Sequence, residues 1–175
     1  GAADPSQEII FTKGATEALN LIAHGMTSWL SAGDEILLST LEHHANIVPW
    51  QQLAKRTGAV IRVIPIESSG ALDLDAYQHL LTQRTKVVAV NGISNALGTI
   101  NPIDRMARMA HQVGAVFVCD ATQMGAHRPI DVQQMQCDFL VLSGHKMYGP
   151  TGIGLCYGRA ALLAKLDPYQ TGGEM

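Results

Sequence analysis

Cysteine is scarce in this chain and poorly arranged for cross-linking: Cys119, Cys137 and Cys156 are the only three among 175 residues. An odd count with no CxxC spacing argues against a disulfide framework. Cys119 and Cys156 lie inside apolar runs, the usual setting of small core side chains. Charge is thin as well, at 15% of residues and a formal net of -3. No run of Lys and Arg is long enough to track a phosphate backbone, so nucleic acid is not an expected partner. No apolar stretch reaches the ~18–20 residues that span a bilayer, and none resembles a signal peptide. The expectation is a cytoplasmic protein without a membrane partner. Internal repeats and low-complexity tracts are missing too. The chain opens on Gly1-Ala2-Ala3 and stops at Gly172-Gly173-Glu174-Met175 with no closing element, which reads as a segment of a longer protein.

What the chain does have is hydrophobic content, 47%, enough for one domain with a substantial core. Short apolar runs alternate with segments of helical period, the pattern of a sheet covered by helices. Strands are expected near 8–12, 35–39, 60–65, 86–91, 116–120, 138–143 and 153–157. Helices are expected near 16–30, 45–56, 73–81, 102–114 and 160–165. Pro49 fits only the first turn of its helix, Asp73 is a cap, and Pro102 with Gly114 makes a start-and-stop pair. The fold class is α/β, a mostly parallel seven-stranded sheet flanked by helices.

Ligands of such sheets sit beyond the carboxyl ends of the parallel strands. Polar groups collect there: Lys13-Gly14-Ala15-Thr16, Glu42-His43-His44, Ser94-Asn95, Asp120 with Gln123, and Ser143-Gly144-His145-Lys146. Lys146 is either an ordinary loop lysine or a Schiff-base lysine, which needs partial desolvation to be nucleophilic near neutral pH. Asp120 ends an apolar strand, where a carboxylate is costly unless paired; it is a helix cap or the partner of a cation. Pyridoxal phosphate would supply that cation in its protonated ring nitrogen, the electron sink of its chemistry. Ser143 and His145 then stand where a cofactor phosphate would be held. A glycine, a small residue and a threonine at a helix start present backbone N–H groups to an anion. The two adjacent histidines point apart and offer too few ligands for a zinc centre. One of them stacked on a cofactor ring is the better use, with a proton role open, beside a surface or core histidine.

Four segments carry a family resemblance: Glu42-His43-His44-Ala45-Asn46-Ile47-Val48-Pro49-Trp50, Ser94-Asn95-Ala96-Leu97-Gly98-Thr99, Asp120-Ala121-Thr122-Gln123, and Ser143 through Gly154. They resemble class V aminotransferase-fold enzymes of fold type I. More narrowly, they are similar to the group II cysteine desulfurases and selenocysteine lyases of the SUF and CSD sulfur-mobilising systems. The likeness runs in order from Ile9 to Met175. It implies that Lys146 carries pyridoxal 5'-phosphate covalently and removes the substrate α-proton. Asp120 pairs with the ring nitrogen, Gln123 bonds the ring hydroxyl, and His43 stacks on the ring. Thr16, Ser143 and His145 hold the phosphate, with Ala15 adding a backbone N–H where the family often has threonine. Asn95 reaches substrate and cofactor.

The implied reaction converts L-cysteine, or L-selenocysteine, to L-alanine, leaving sulfur as a persulfide for iron–sulfur cluster assembly through an acceptor protein of the SUF or CSD type. The persulfide cysteine and substrate arginine are expected beyond Met175. The chain would then be the cofactor-binding large domain, residues 1–175, of a homodimeric enzyme of ~400 residues, a length at which chains divide into domains. By itself it is expected to be inactive. Another class V activity (kynureninase-like or aminotransferase) and a non-catalytic folded binding module are the competing readings.

Overall fold

The computed structural model describes residues 1–173; Glu174 and Met175, the end of the glycine-rich tail, lie outside the described residues. Seven strands, β1 (Ile9–Thr12), β2 (Glu35–Ser39), β3 (Val60–Ile64), β4 (Thr85–Asn91), β5 (Val116–Asp120), β6 (Phe139–Ser143) and β7 (Gly154–Gly158), form one sheet. Its order is β1-β7-β6-β5-β4-β2-β3. β3, β2, β4, β5 and β6 pair in parallel, whereas β7 runs antiparallel to both β6 and β1. The helices are α1 (Pro5–Glu8), α2 (Ala15–Gly25), α3 (Val48–Thr57), α4 (Leu74–Leu80), α5 (Ile103–Gln112), α6 (Val132–Met135) and α7 (Ala160–Leu163).

The apolar runs become strands because both sheet faces are covered. β2, β5 and β6 are buried along nearly their whole length, as parallel strands under helices must be. Alternation divides each strand between two cores. Val88 and Val90 of β4 pack with Met106, Ala110 and Phe117 on one face. Val87 and Ala89 pack with Leu19, Ile22, Trp50 and Phe139 on the other. Removing Phe117, which has no exposed surface, would cost roughly 3–5 kcal/mol.

All seven strands and the five expected helices fall within a few residues of expectation, with two instructive shifts. The helix expected to reach residue 30 stops at Gly25, followed by a 3-10 turn, Thr27–Trp29. There Asp167 donates its N–H to the Gly25 carbonyl at 2.9 Å, and a Cβ on Gly25 would sit 2.8 Å from that of Leu166. The returning chain thus occupies the side on which the helix would have continued. The helix expected from residue 45 begins at Val48, with Pro49 in its first turn. His44–Asn46 instead forms a separate 3-10 turn. Four-residue α1 and α6 are too short to leave a periodic signal. No helix among the described residues is long and apolar enough to cross a membrane.

Candidate active site

β4, β5 and β6 are parallel neighbours, so Asn91, Asp120 and the turn after Ser143 emerge side by side. A cavity of about 250 Å³ opens above them. Its wall includes Ala15, Thr16, His43, Asn95, Asp120, Gln123, Ser143, His145 and Lys146, together with Ala45, Asn91, Ile93 and Thr122. All nine residues singled out from the sequence face this one space. His44 does not line it. Its ring lies 6.3 Å from that of His43 at 62°, and no cluster of metal-ligating side chains exists among the described residues.

Two glycines set the local geometry. Gly144 begins the 3-10 turn that ends at Lys146; a Cβ there would lie 3.0 Å from the Ile153 carbonyl and 3.1 Å from that of Pro150. Only glycine lets the turn fold back so tightly that Gly144 and Gly149 are bonded, at 2.9 Å. Gly154 approaches the backbone of Gly14, where a Cβ would come within 2.5 Å of its Cα. That approach seats the start of α2 against β6, and the Ala15 N–H donates to Ser143 Oγ at 2.8 Å. Two of the expected phosphate contacts are therefore each other's partners.

Asp120 is buried, and its Oδ1 accepts the Thr122 N–H at 3.0 Å. No salt bridge among the described residues reaches it or Lys146. Thr122 Oγ1, also on the cavity wall, is buried without a partner. An unmet hydroxyl and an uncompensated carboxylate are costly in a dry interior. Both become reasonable if a polar, cationic group sits between them. His43 Nδ1 accepts the Ala45 N–H at 3.1 Å, which leaves Nε2 to carry the proton of the neutral ring. The donor set fits a flat molecule bearing an anion at one end and a cationic ring nitrogen at the other: a helix start, two hydroxyls and His145 for the first, Asp120 for the second, and an amine beside them.

The cysteines take no part. All three are free and buried. Burial pushes Cys156 up to about 12, and the neighbouring Cys137 thiol together with burial raises Cys119. Neither of these two is poised as a thiolate.

Sequence reasoning missed Asn91 and Thr122, and it placed Glu42 at a strand end without giving it a role. Asn91 ends β4 opposite Asp120 in register, a polar strand end that the same logic would have found. Thr122 and Glu42 lay inside motifs already singled out.

Known proteins are similar to this chain in sequence and in fold. A probable cysteine desulfurase of Halalkalibacterium halodurans is 47% identical over 99% of this chain and 43% of its own length. The cysteine desulfurase CsdA of Escherichia coli superposes with a TM-score of 0.95 at 40% identity, over 99% of this chain and 44% of that one. A cysteine desulfurase of Thermococcus onnurineus gives 0.91 at 39% identity, covering 95% and 42%. The chain thus spans less than half the length of the relatives it matches. The sequence pattern of the class-V aminotransferases matches residues 2–175, and with this fold and these relatives the chain belongs to the class-V aminotransferase family.

Proposed function

We propose that the chain is the cofactor-binding domain of a longer, cytoplasmic cysteine desulfurase that uses pyridoxal 5'-phosphate. The observation that carries this reading is the cavity lined by Lys146, Asp120, Gln123, His43, Asn95, Ser143, His145, Thr16 and Ala15. When bound, the cofactor supplies a cationic ring that withdraws electrons from the substrate α-carbon. Asp120 holds that ring nitrogen protonated, Gln123 bonds its hydroxyl, and His43 covers one face. Thr16, Ser143, His145 and the start of α2 hold the phosphate. Lys146 would hold the cofactor through Nζ, and the same amine would take the α-proton of the substrate.

The net reaction joins L-cysteine and an enzyme thiol to give L-alanine and a persulfide on that thiol, so one sulfur atom changes partners and no external oxidant is needed. L-selenocysteine is the alternative substrate. The accepting thiol belongs to the longer protein, because Cys119, Cys137 and Cys156 are sealed in the core. Free cysteines throughout suit a reducing compartment. A homodimer is part of the proposal: Tyr148, two residues after Lys146, is 91% exposed in a left-handed conformation, a large aromatic suited to burial against a second subunit. From there the sulfur would pass to an acceptor protein of the SUF or CSD type.

The test is incubation with pyridoxal 5'-phosphate, borohydride reduction and peptide mapping. Label at Lys146 is expected, with no alanine formed from cysteine by residues 1–175 alone. Folded protein that carries no label there would end the proposal. In the full-length enzyme, alanine and persulfide should form in equal amounts.

A further inference from the structure

Behind the cavity wall, and outside the set of residues assigned above, lies a second buried carboxyl. Glu42 is 8% exposed and sits between β2 and the His44–Asn46 turn. Its Oε1 accepts from the Ser39 hydroxyl and from the Asn91 N–H, the latter at 3.0 Å; its Oε2 accepts from Asn46 Nδ2 at 2.7 Å. Trp50 Nε1–H donates to Asn46 Oδ1 at 2.9 Å. An indole N–H only donates, so it fixes which end of Asn46 is the oxygen and obliges the Asn46 amide to donate to Glu42. The Asn91 backbone N–H is likewise a donor that cannot be reversed. Asn91 is itself anchored: its side chain donates to the Leu41 carbonyl at 2.7 Å and it receives Asn101 at 2.8 Å. Three donors, the Ser39 hydroxyl, the Asn91 N–H and the Asn46 amide, converge on Glu42, which therefore ties β2, the end of β4 and the turn before α3 to one point. His43 is the next residue, on the turn so tied.

We propose that Glu42 is a positioning residue for His43, its carboxylate drawing the His43 turn onto the end of β4 and fixing the imidazole over the cavity. This inference rests on the reading of His43 as a cofactor-facing residue. The titratable groups whose fields reach Glu42 are Asp120 and Cys119, both on β5. The other elements around it face it with Ser39, Asn91, Asn46 and Trp50, none of which titrates. Burial pushes the Glu42 carboxyl up to about 7 against the pull of its three donors, so the tie changes strength in the neutral range.

Glu42→Gln keeps the shape but sets its amide N–H against that of Asn46, which Trp50 holds from turning over. Glu42→Gln combined with Asn46→Asp restores the pattern with the charge moved by one link: the new amide at position 42 donates to the new carboxylate at position 46, and Trp50 still finds an acceptor. The readouts are the ¹⁵N signals of the His43 ring, which report its tautomer, and amide exchange at Ala45, Asn46 and Asn91, corrected for its intrinsic pH dependence. Loss of one hydrogen bond to a charged group corresponds to roughly a 10- to 100-fold loss of protection. We expect that loss, with mixed His43 tautomers, in Glu42→Gln and recovery of both in the double variant. In the unsubstituted protein, protection at these amides should rise as the pH drops through about 7, because the closed form holds the Glu42 proton more tightly than an opened one. A single variant with unchanged tautomer and protection, or a double variant no better than the single, would overturn the proposal. Should Glu42→Gln not fold, an unsubstituted protein showing no such pH step would do the same. None of these readouts needs cofactor. Failure of Lys146 to take the borohydride label would refute the proposed function alone, whereas normal labelling with an unmoved His43 would refute this inference alone.

Discussion

Both ends of the sheet bury carboxyl groups, and they treat them oppositely. At the amino end, Asp138 accepts the Phe117 N–H at 2.8 Å and is flanked by His111 at 2.8 Å and Arg159 at 3.2 Å. Glu35, at the start of β2, meets Arg62 at 3.1 Å and the Thr82 hydroxyl at 2.7 Å. At the carboxyl end, Asp120 and Glu42 receive hydrogen bonds but no cation among the described residues. The Thr82 hydroxyl above all, with Arg62, holds Glu35 below its ordinary value of 4.5, whereas burial lifts Glu42 to about 7. Carboxylates paired inside the chain stabilise the fold. Asp120, on the cavity wall without a countercharge, marks a place for a group that would supply it.

The largest effect should come from the amine of Lys146 on the cavity wall. Lys146→Ala removes the borohydride label altogether while leaving the melting curve close to that of the parent; a label persisting at another lysine would break the contrast. Next comes the pair Asp120→Asn and Asp138→Asn. In the full-length enzyme the first should lower kcat/KM about 100-fold, with stability changed by less than ~0.5 kcal/mol because the asparagine oxygen still accepts the Thr122 N–H. The second should leave kcat/KM near normal yet cost about 2 kcal/mol, less than the ~3–5 of a fully buried pair because His111 and Arg159 are partly exposed. Denaturant midpoints and steady-state rates on both variants decide it, and a large stability loss in Asp120→Asn would erase the distinction between the two ends.

A pH series sharpens the comparison through opposite slopes. Glu42 has a raised folded pKa, so its contribution to stability is complete below about 4.5 and is lost as the pH rises through about 7. The parent should lose stability relative to Glu42→Gln across that window. Glu35 has a lowered one, so its contribution is present above 4.5 and disappears as the pH falls below it. Unfolding midpoints of Glu42→Gln and Glu35→Gln, followed from acid to mildly alkaline pH, should diverge in this sense, and parallel curves would refute the assignment. The smallest effect is Arg62→Ala, whose half-exposed side chain should contribute no more than ~0.5–1 kcal/mol, diminishing in high salt.

Much of the sheet was legible because burial on both faces turns parallel strands into apolar runs of the right length, as in Phe139–Ser143. Asp120 and Lys146 were legible because polar groups at apolar strand ends have no packing role. The stop at Gly25 was not, since the residues that force it, Leu166 and Asp167, are distant in the chain. Nor was the bond between the Ala15 N–H and Ser143 Oγ, which joins positions far apart in sequence.

Alternating hydrophobicity, turn chemistry and the residue types at strand ends are local properties, so the sequence by itself determined the α/β class, the strands and the candidates for the site. Which of those candidates share one cavity, which carboxyls gain a cation and which are stranded depends on strand order and on side chains arriving from other elements. Those matters only the tertiary structure decided, because Coulomb and hydrogen-bond energies act through space and not along the chain.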